Sequence, residues 1–342
     1  MIIRLKRSKS LVLLLLVLLI SLSACAGTAD KEKNAAATDA VTQTHKADQD
    51  HDATEEKMIE TYINKLRDPF ILEHNGRYYA YGTGWQCYCT ANSALDGTWL
   101  SLGCVVNTPE DAQKDYWAPE VYKYNGEFYM FTTYYSSKTA HRGCAVFKSS
   151  VPEGPFTIVS DGHVTPSDWD AIDGSLYIDA DGQPWMVFVH EWTSMHDSIG
   201  AMAAAKMSDD LTHFISEPIQ LFLASDAPWA KSGVTDGCFI YECENGELVM
   251  LWSSFDTHGY AVGIARSGNG KIDGKWSQDA EPLYSKKIYG GYDGGHPMVF
   301  SALNGQKYLA IHSPNTADGV RKEKPVFIPF YEENGRITID VK

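Results

Sequence analysis

Five times in this chain an Asn-Gly or Asp-Gly pair stands directly before a run of aromatic and aliphatic residues. The pairs are Asn75-Gly76, Asn125-Gly126, Asp181-Gly182, Asn245-Gly246 and Asn304-Gly305. Such pairs supply the positive φ angles of a tight hairpin turn. Their spacings of 50, 56, 64 and 59 residues are long for a helical solenoid and suit one four-stranded propeller blade with its loops. Each turn is followed by a strand-like segment such as Arg77-Tyr78-Tyr79-Ala80-Tyr81 or Leu248-Val249-Met250-Leu251-Trp252, and preceded by another such as Phe70-Ile71-Leu72 or Phe239-Ile240-Tyr241. Each repeat therefore opens with an antiparallel hairpin. No window between Met58 and Lys342 has the pattern of a long, capped amphipathic helix. The expectation is an all-β, five-bladed β-propeller over residues 58–342.

What precedes that domain has a different composition. Arg4, Lys6, Arg7 and Lys9 lead into an apolar run from Leu11 to Ile20, the layout of a secretory signal and too short for a membrane span of roughly 20 apolar residues. It ends in Leu22-Ser23-Ala24-Cys25, which looks like a bacterial lipobox. Residues 1–25 are thus expected to be a lipoprotein signal with Cys25 as the lipidated residue. Residues 26–57 are rich in Ala, Thr, Asp, Lys and Gln, cannot bury a core, and read as a disordered polar tether. The expected location is extracytoplasmic, held to a bacterial membrane through the lipid alone.

The chain carries 29 Lys and Arg against 44 Asp and Glu, a formal charge of −15. That balance argues against nucleic acid or anionic lipid as a partner and is compatible with a neutral polysaccharide. Beyond Cys25 there are six cysteines, Cys87, Cys89, Cys104, Cys144, Cys238 and Cys243. They read as core residues or as one or two bridges, because Cys87 and Cys89 are too close for a zinc knuckle and no second pair follows.

A polar residue stands five to nine positions before each turn: Asp68, Glu120, Asp173, Asp236 and His296. In a propeller the first strand of every blade lines the central channel in the same direction, so these leaders gather at one mouth. Single acidic residues at strand starts are usually turn formers; five in phase suggest a site. Carboxyl groups brought together raise each other's pKa. One acid form beside one base form is what cleavage of a glycosidic bond requires.

The segments Arg67-Asp68-Pro69-Phe70-Ile71, Trp117-Ala118-Pro119-Glu120-Val121 and Ile172-Asp173-Gly174-Ser175-Leu176 resemble blade motifs of glycoside hydrolase family 43, the five-bladed arabinanases, arabinofuranosidases and xylosidases. The resemblance covers Arg67 to about Asn315 with blade order preserved. It implies an inverting glycosidase that needs no cofactor and acts on arabinose- or xylose-containing plant polysaccharides. It implies Asp68 as general base and Asp173 as the carboxylate that tunes and holds the acid. The family's acid is a Glu in blade four, where this chain has Thr235-Asp236-Gly237-Cys238-Phe239, one methylene shorter. Asp236 or Glu191 is therefore expected to be the acid. His296 matches a histidine that in some members binds calcium through water, although a lone histidine is more often structural. Trp117, Glu120, Trp192 and His296 are the candidate substrate contacts, with bracing of the site the alternative for Glu120. Trp85, Trp252 and Phe255 are weaker ones, more often blade core, and Arg142 and Arg266 are open as hydroxyl contacts.

Two rival readings are kept. A non-catalytic glycan-binding lipoprotein on the same fold would account for the missing blade-four Glu. A retaining fructoside hydrolase would use the pair Glu242-Cys243, but Glu242 lies at the far end of its strand and Arg67-Asp68-Pro69-Phe70 is not the motif that reading needs.

Overall fold

A computed structural model describes residues 57–315 and 322–342. The leader, Cys25 and all but the last residue of the tether lie outside the described residues. From Phe70 on, the strands form five antiparallel sheets in chain order. Blade 1 comprises Phe70–His74, Arg77–Gly82, Gln86–Thr90 and Trp99–Cys104. Blade 2 comprises Ala112–Tyr124, Glu127–Ser136, Arg142–Ser149 and Thr157–Ile158. Blade 3 comprises Ala171–Ile178, Pro184–His190, Ala201–Lys206 and Ile219–Leu223. Blade 4 comprises Asp236–Glu242, Leu248–Asp256, Gly259–Ser267 and Trp276–Gln278. Blade 5 has Gly295–Ser301, Lys307–Ser313 and Lys324–Glu333. The five-bladed, all-β expectation holds, and the only helices among the described residues are a four-residue turn at Lys286–Tyr289 and a 3-10 turn at Ala224–Asp226.

Blade 5 closes the ring with strands from both extremes of the fold. Ile59–Glu60 pairs with Val326 and Phe327 of Lys324–Glu333, and Arg336–Ile339 pairs with residues 330–333 of the same strand. Thr61 Oγ1 donates to the Pro325 carbonyl, and the Leu66 N–H to that of Glu323. The blades pack through their faces. Trp85, Tyr134 and Phe147 fill the space between blades 1 and 2, and Phe222, Trp229, Trp252 and Trp276 that between blades 3 and 4. Trp85 and Trp252 are therefore core residues, buried to 1% and 0% exposure. Truncating either to Ala would cost about 3–5 kcal/mol. The six cysteines are unbridged, five of them buried and Cys104 exposed. The five buried ones act as small core residues and no bridge forms.

Local chain geometry sets where the leaders stand. Blades 1 and 2 turn on two residues, with Asn75, Gly76, Asn125 and Gly126 all at positive φ. Blades 3, 4 and 5 use five-residue loops between strands ending at Ile178, Glu242 and Ser301 and strands starting at Pro184, Leu248 and Lys307. At the opposite end each inner strand carries, within it or two residues before it, a residue in the left-handed region: Asp68 (54°), Ala118 (44°), Asp173 (56°), Gly237 (41°) and His296 (58°), blade 2 having a second at Asp115 (59°). These five are the true structural equivalents. In blades 2 to 5 a register shift accompanies them, and such bulges re-aim side chains next to sites. Holding a non-glycine residue there costs on the order of 1–3 kcal/mol. Four blades spend that on residues around a single opening.

Candidate active site

That opening is a cavity of about 340 Å³ lined by Arg67, Asp68, Thr83, Trp117, Ile172, Asp173, Glu191, Trp192, Asp236, Tyr260 and His296. Its volume is in the range of small-ligand pockets. Of the expected residues, Asp68, Asp173, Asp236, Glu191, Trp117, Trp192 and His296 all meet here.

Asp68 is ringed by two imidazoles and a guanidinium. Its Oδ1 lies 3.4 Å from His296 Nδ1 and 3.3 Å from His312 Nδ1. Thr83 Oγ1 donates to Oδ2, and the same hydroxyl accepts the Ala118 N–H at 3.1 Å. Burial works against ionisation, but the imidazoles of His296 and His312 and the Arg67 guanidinium outweigh it. Together they hold Asp68 far below the usual carboxylate range.

Asp236 has the opposite surroundings. Its Oδ2 accepts the Tyr260 hydroxyl at 3.0 Å. Burial and the neighbouring carboxyls of Asp173, Asp68 and Glu191 push its pKa well up, against the phenol and the Arg67 guanidinium. Asp173 sits between the two. Its Oδ2 accepts the Gly237 N–H at 2.8 Å and lies 3.8 Å from His296 Nδ1. Burial raises its pKa, His296 and the Gly237 N–H lower it, and Asp68 raises it again. Through Gly237, Asp173 grips the backbone next to Asp236, so the two are mechanically joined. A carboxyl favoured as the anion and a carboxyl pushed toward its protonated form thus line one cavity.

Glu191 reaches the cavity from the C-terminal side of Pro184–His190, as its place after that strand suggests. Its Oε2 accepts Arg142 Nε at 2.6 Å. Burial raises its pKa and Arg142 opposes this. Arg142 also faces Asp115 at 3.4 Å and Asp170 at 3.5 Å, donates to Thr193, and lies 5.4 Å from the centre of the Trp117 ring. Arg142 therefore braces the wall rather than facing a ligand. Arg266 is committed elsewhere, to Asp279 and Glu247 on the outer part of blade 4.

Glu120 is not in the cavity wall. It stands two residues past the left-handed Ala118, so the bulge turns it behind the site, where its carboxyl accepts the Tyr122 hydroxyl. That hydroxyl also contacts Ser175 Oγ at 3.0 Å. Burial raises the pKa of Glu120 to about 8, against the two hydrogen bonds. The expectation of a substrate contact is corrected to a bracing role. No direct protein ligand set for calcium surrounds His296 among the described residues. Its Nδ1 is directed at two carboxylates, and the described residues contain no group of three or more His, Cys, Asp or Glu arranged for a metal, whereas calcium takes six to eight oxygens. Glu242 is exposed at the turn end of its strand, next to a separate crevice.

Four residues at the site escaped the leader pattern: Arg67, Thr83, Tyr260 and His312. Thr83 follows and His312 stands near the end of a second strand, and an antiparallel partner of an inner strand ends where the inner strand begins. That rule, applied to Glu191, would have found both.

The geometry has counterparts. An endo-arabinase from Bacteroides thetaiotaomicron VPI-5482 superposes with a TM-score of 0.71 at 39% identity, covering 82% of this chain and all of that one. The extracellular exo-alpha-(1->5)-L-arabinofuranosidase ArbA of Cellvibrio japonicus is 25% identical across 81% of this chain and 87% of its own length. A probable arabinan endo-1,5-alpha-L-arabinosidase B of Aspergillus fumigatus is 28% identical over 170 residues, 45% of this chain. The chain spans about half the length of that curated relative, 46%. The sequence profile of the glycosyl hydrolases family 43 matches residues 61–328. On that match, which takes in all five blades and every lining residue of the cavity, the chain belongs to glycosyl hydrolase family 43.

Proposed function

We propose that this family-43 glycosyl hydrolase cleaves 1,5-linked arabinan by single displacement with inversion. The observation that carries the reading is the contrast within one cavity: Asp68 among His296, His312 and Arg67, and Asp236 among carboxyls and a phenol. Asp68 takes a proton from water as the water oxygen attacks the anomeric carbon. The bond to the leaving sugar breaks, and Asp236 gives its proton to the departing oxygen. Asp173 holds Asp236 through the Gly237 N–H and, as a carboxyl close by, helps keep it protonated. Asp236 is preferred to Glu191 because Glu191 is bonded to a guanidinium, which favours the ionised form, while Asp236 has no such partner. Trp117 and Trp192 offer aromatic faces for sugar C–H groups, and His296 supports the anion of Asp68.

Arabinan is preferred to xylan because the relatives named above are named for arabinan or arabinofuranoside. The lipobox and tether support an extracytoplasmic enzyme anchored through Cys25. Cys25→Ala should then move activity from the membrane fraction to the soluble one.

The test is hydrolysis of linear 1,5-arabinan and nitrophenyl arabinofuranoside beside nitrophenyl xyloside, with the first-formed anomer read by NMR. Net retention would remove the mechanism. Binding of arabino-oligosaccharides with no hydrolysis by the wild type would leave the glycan-binding protein instead.

A further inference from the structure

Behind both reacting carboxyls lies a pair of stacked rings. Tyr260, on the third strand of blade 4, is 2% exposed and donates its hydroxyl to Asp236 Oδ2 at 3.0 Å. His312, near the end of the second strand of blade 5, is wholly buried. Its Nδ1 lies 3.2 Å from the Asp68 backbone nitrogen and 3.3 Å from Asp68 Oδ1. The neutral ring accepts the Asp68 N–H and the protonated ring donates to its carboxylate, so either form is tied to Asp68. The rings of Tyr260 and His312 are stacked, with centroids 5.6 Å apart and planes 23° from parallel. An unbroken line of contacts therefore runs from Asp68 through His312 and Tyr260 to Asp236.

The surroundings are shaped for this pair. A Cβ on Gly295 would stand 2.4 Å from Tyr260 Cε1, and one on Gly294 would stand 2.6 Å from the His312 carbonyl oxygen. Neither glycine has a positive φ, so it is the missing side chain that the fold uses. His312 Nε2 faces Asn315 Oδ1 at 3.1 Å, and Arg67 donates to that oxygen at 2.9 Å and to the Asn315 carbonyl at 2.6 Å. The Asp293 carboxylate then joins the two halves, accepting the Tyr260 N–H and the Asn315 N–H, each at 3.1 Å.

We propose that the Tyr260–His312 stack is a positioning element that sets the gap between Asp68 and Asp236, into which the attacking water and the anomeric carbon must fit. The proposal rests on the acid and base roles given above. Both carboxyls are short, and a misplacement of about 1 Å can cost on the order of 100-fold in rate. The bland alternative is that a buried phenol simply needs a hydrogen-bond partner.

Tyr260→Phe keeps the ring and removes only the bond to Asp236. The expected result is a fall in kcat of about 10- to 100-fold with KM nearly unchanged, larger for arabinan than for an activated nitrophenyl leaving group. The alkaline limb of the pH profile should also move upward. The phenol favours the ionised form of Asp236, and after its loss the carboxyls of Asp173, Asp68 and Glu191 still face that group, with the Arg67 guanidinium and the imidazoles of His296 and His312 beside the stack. His312→Asn should move the acidic limb upward, since Asp68 keeps only His296 and Arg67 against burial. The double variant should lose less than the product of the single losses, because either change already releases the gap. A Tyr260→Phe enzyme with wild-type kcat, leaving-group dependence and alkaline limb, whatever its melting temperature, overturns the proposal even if His312→Asn does not fold. If Asp236→Asn in the same assays shows no leaving-group dependence, the acid assignment fails and the proposal falls with it. If Asp236→Asn behaves as an acid variant and Tyr260→Phe does not respond, only the positioning role is lost.

Discussion

The blade-1 side and the blade-4 side of the cavity present the same functional group in opposite environments. Asp68 faces two imidazoles and the Arg67 guanidinium; Asp236 faces three carboxyls and a phenol and feels Arg67 more weakly. Both are enclosed, so burial alone would push both upward, and it is the His296 and His312 imidazoles of blade 5, together with Arg67, that separate them. The lesson is that in this ring the blades need not be chemically alike. The same strand start can carry a base or an acid according to which neighbouring blade leans on it.

The most severe way to break the contrast is to remove the charge it protects. Asp68→Asn should lower kcat on arabinan by about 10³- to 10⁴-fold while the variant still binds arabino-oligosaccharide by calorimetry; activity within tenfold of wild type would end Asp68's role. Next, Asp236→Asn should lose about 10²- to 10⁴-fold on arabinan and far less on an activated aryl glycoside. Glu191→Gln should lose less, and equally on both, and a reversal of that order in a leaving-group series would transfer the acid role to Glu191. The pH dependence sharpens the same point. With the roles proposed above, turnover needs Asp68 ionised and Asp236 protonated, so the rate should form a bell whose alkaline limb disappears in Asp236→Asn on the activated substrate and whose acidic limb does not.

The smallest effect concerns a third enclosed carboxyl with no cation, Glu120. Its pKa is raised from 4.5 to about 8. The folded state keeps the proton where the unfolded chain has lost it, so the stability tied to this group is fully present below pH 4.5 and is lost as pH rises through 8. Glu120→Gln should therefore raise the melting temperature by a few degrees at pH 8, change little at pH 4.5, and leave kcat near wild type. An equal shift at both pH values would contradict the buried, protonated state.

The blades were readable because turn pairs and strand pairs are local. Asn75-Gly76 and its four counterparts announce themselves without any long-range information, and so does the all-β character between them. The leaders were readable only to within a residue or two. Asp68, Asp173 and His296 occupy the left-handed position itself, whereas Asp236 stands one residue before it and Glu120 two residues after. Alternation along a strand does not reveal where a bulge falls, and a bulge of one residue exchanges the wall for the interior. Tyr260 and His312 were harder still. Each reads as an ordinary strand residue, and its value lies in a ring stack between blades far apart in sequence.

The seam in blade 5 has an outcome for when this molecule becomes competent. The strand Lys324–Glu333 is flanked by Ile59–Glu60 and Arg336–Ile339, and the same sheet carries His296 and His312. Four finished sheets would already display Asp68, Asp173 and Asp236, yet Asp68 would lack the imidazoles that keep it charged. Catalytic readiness thus arrives with the final stitch, and the onset of turnover during refolding should report the joining of first and last strands.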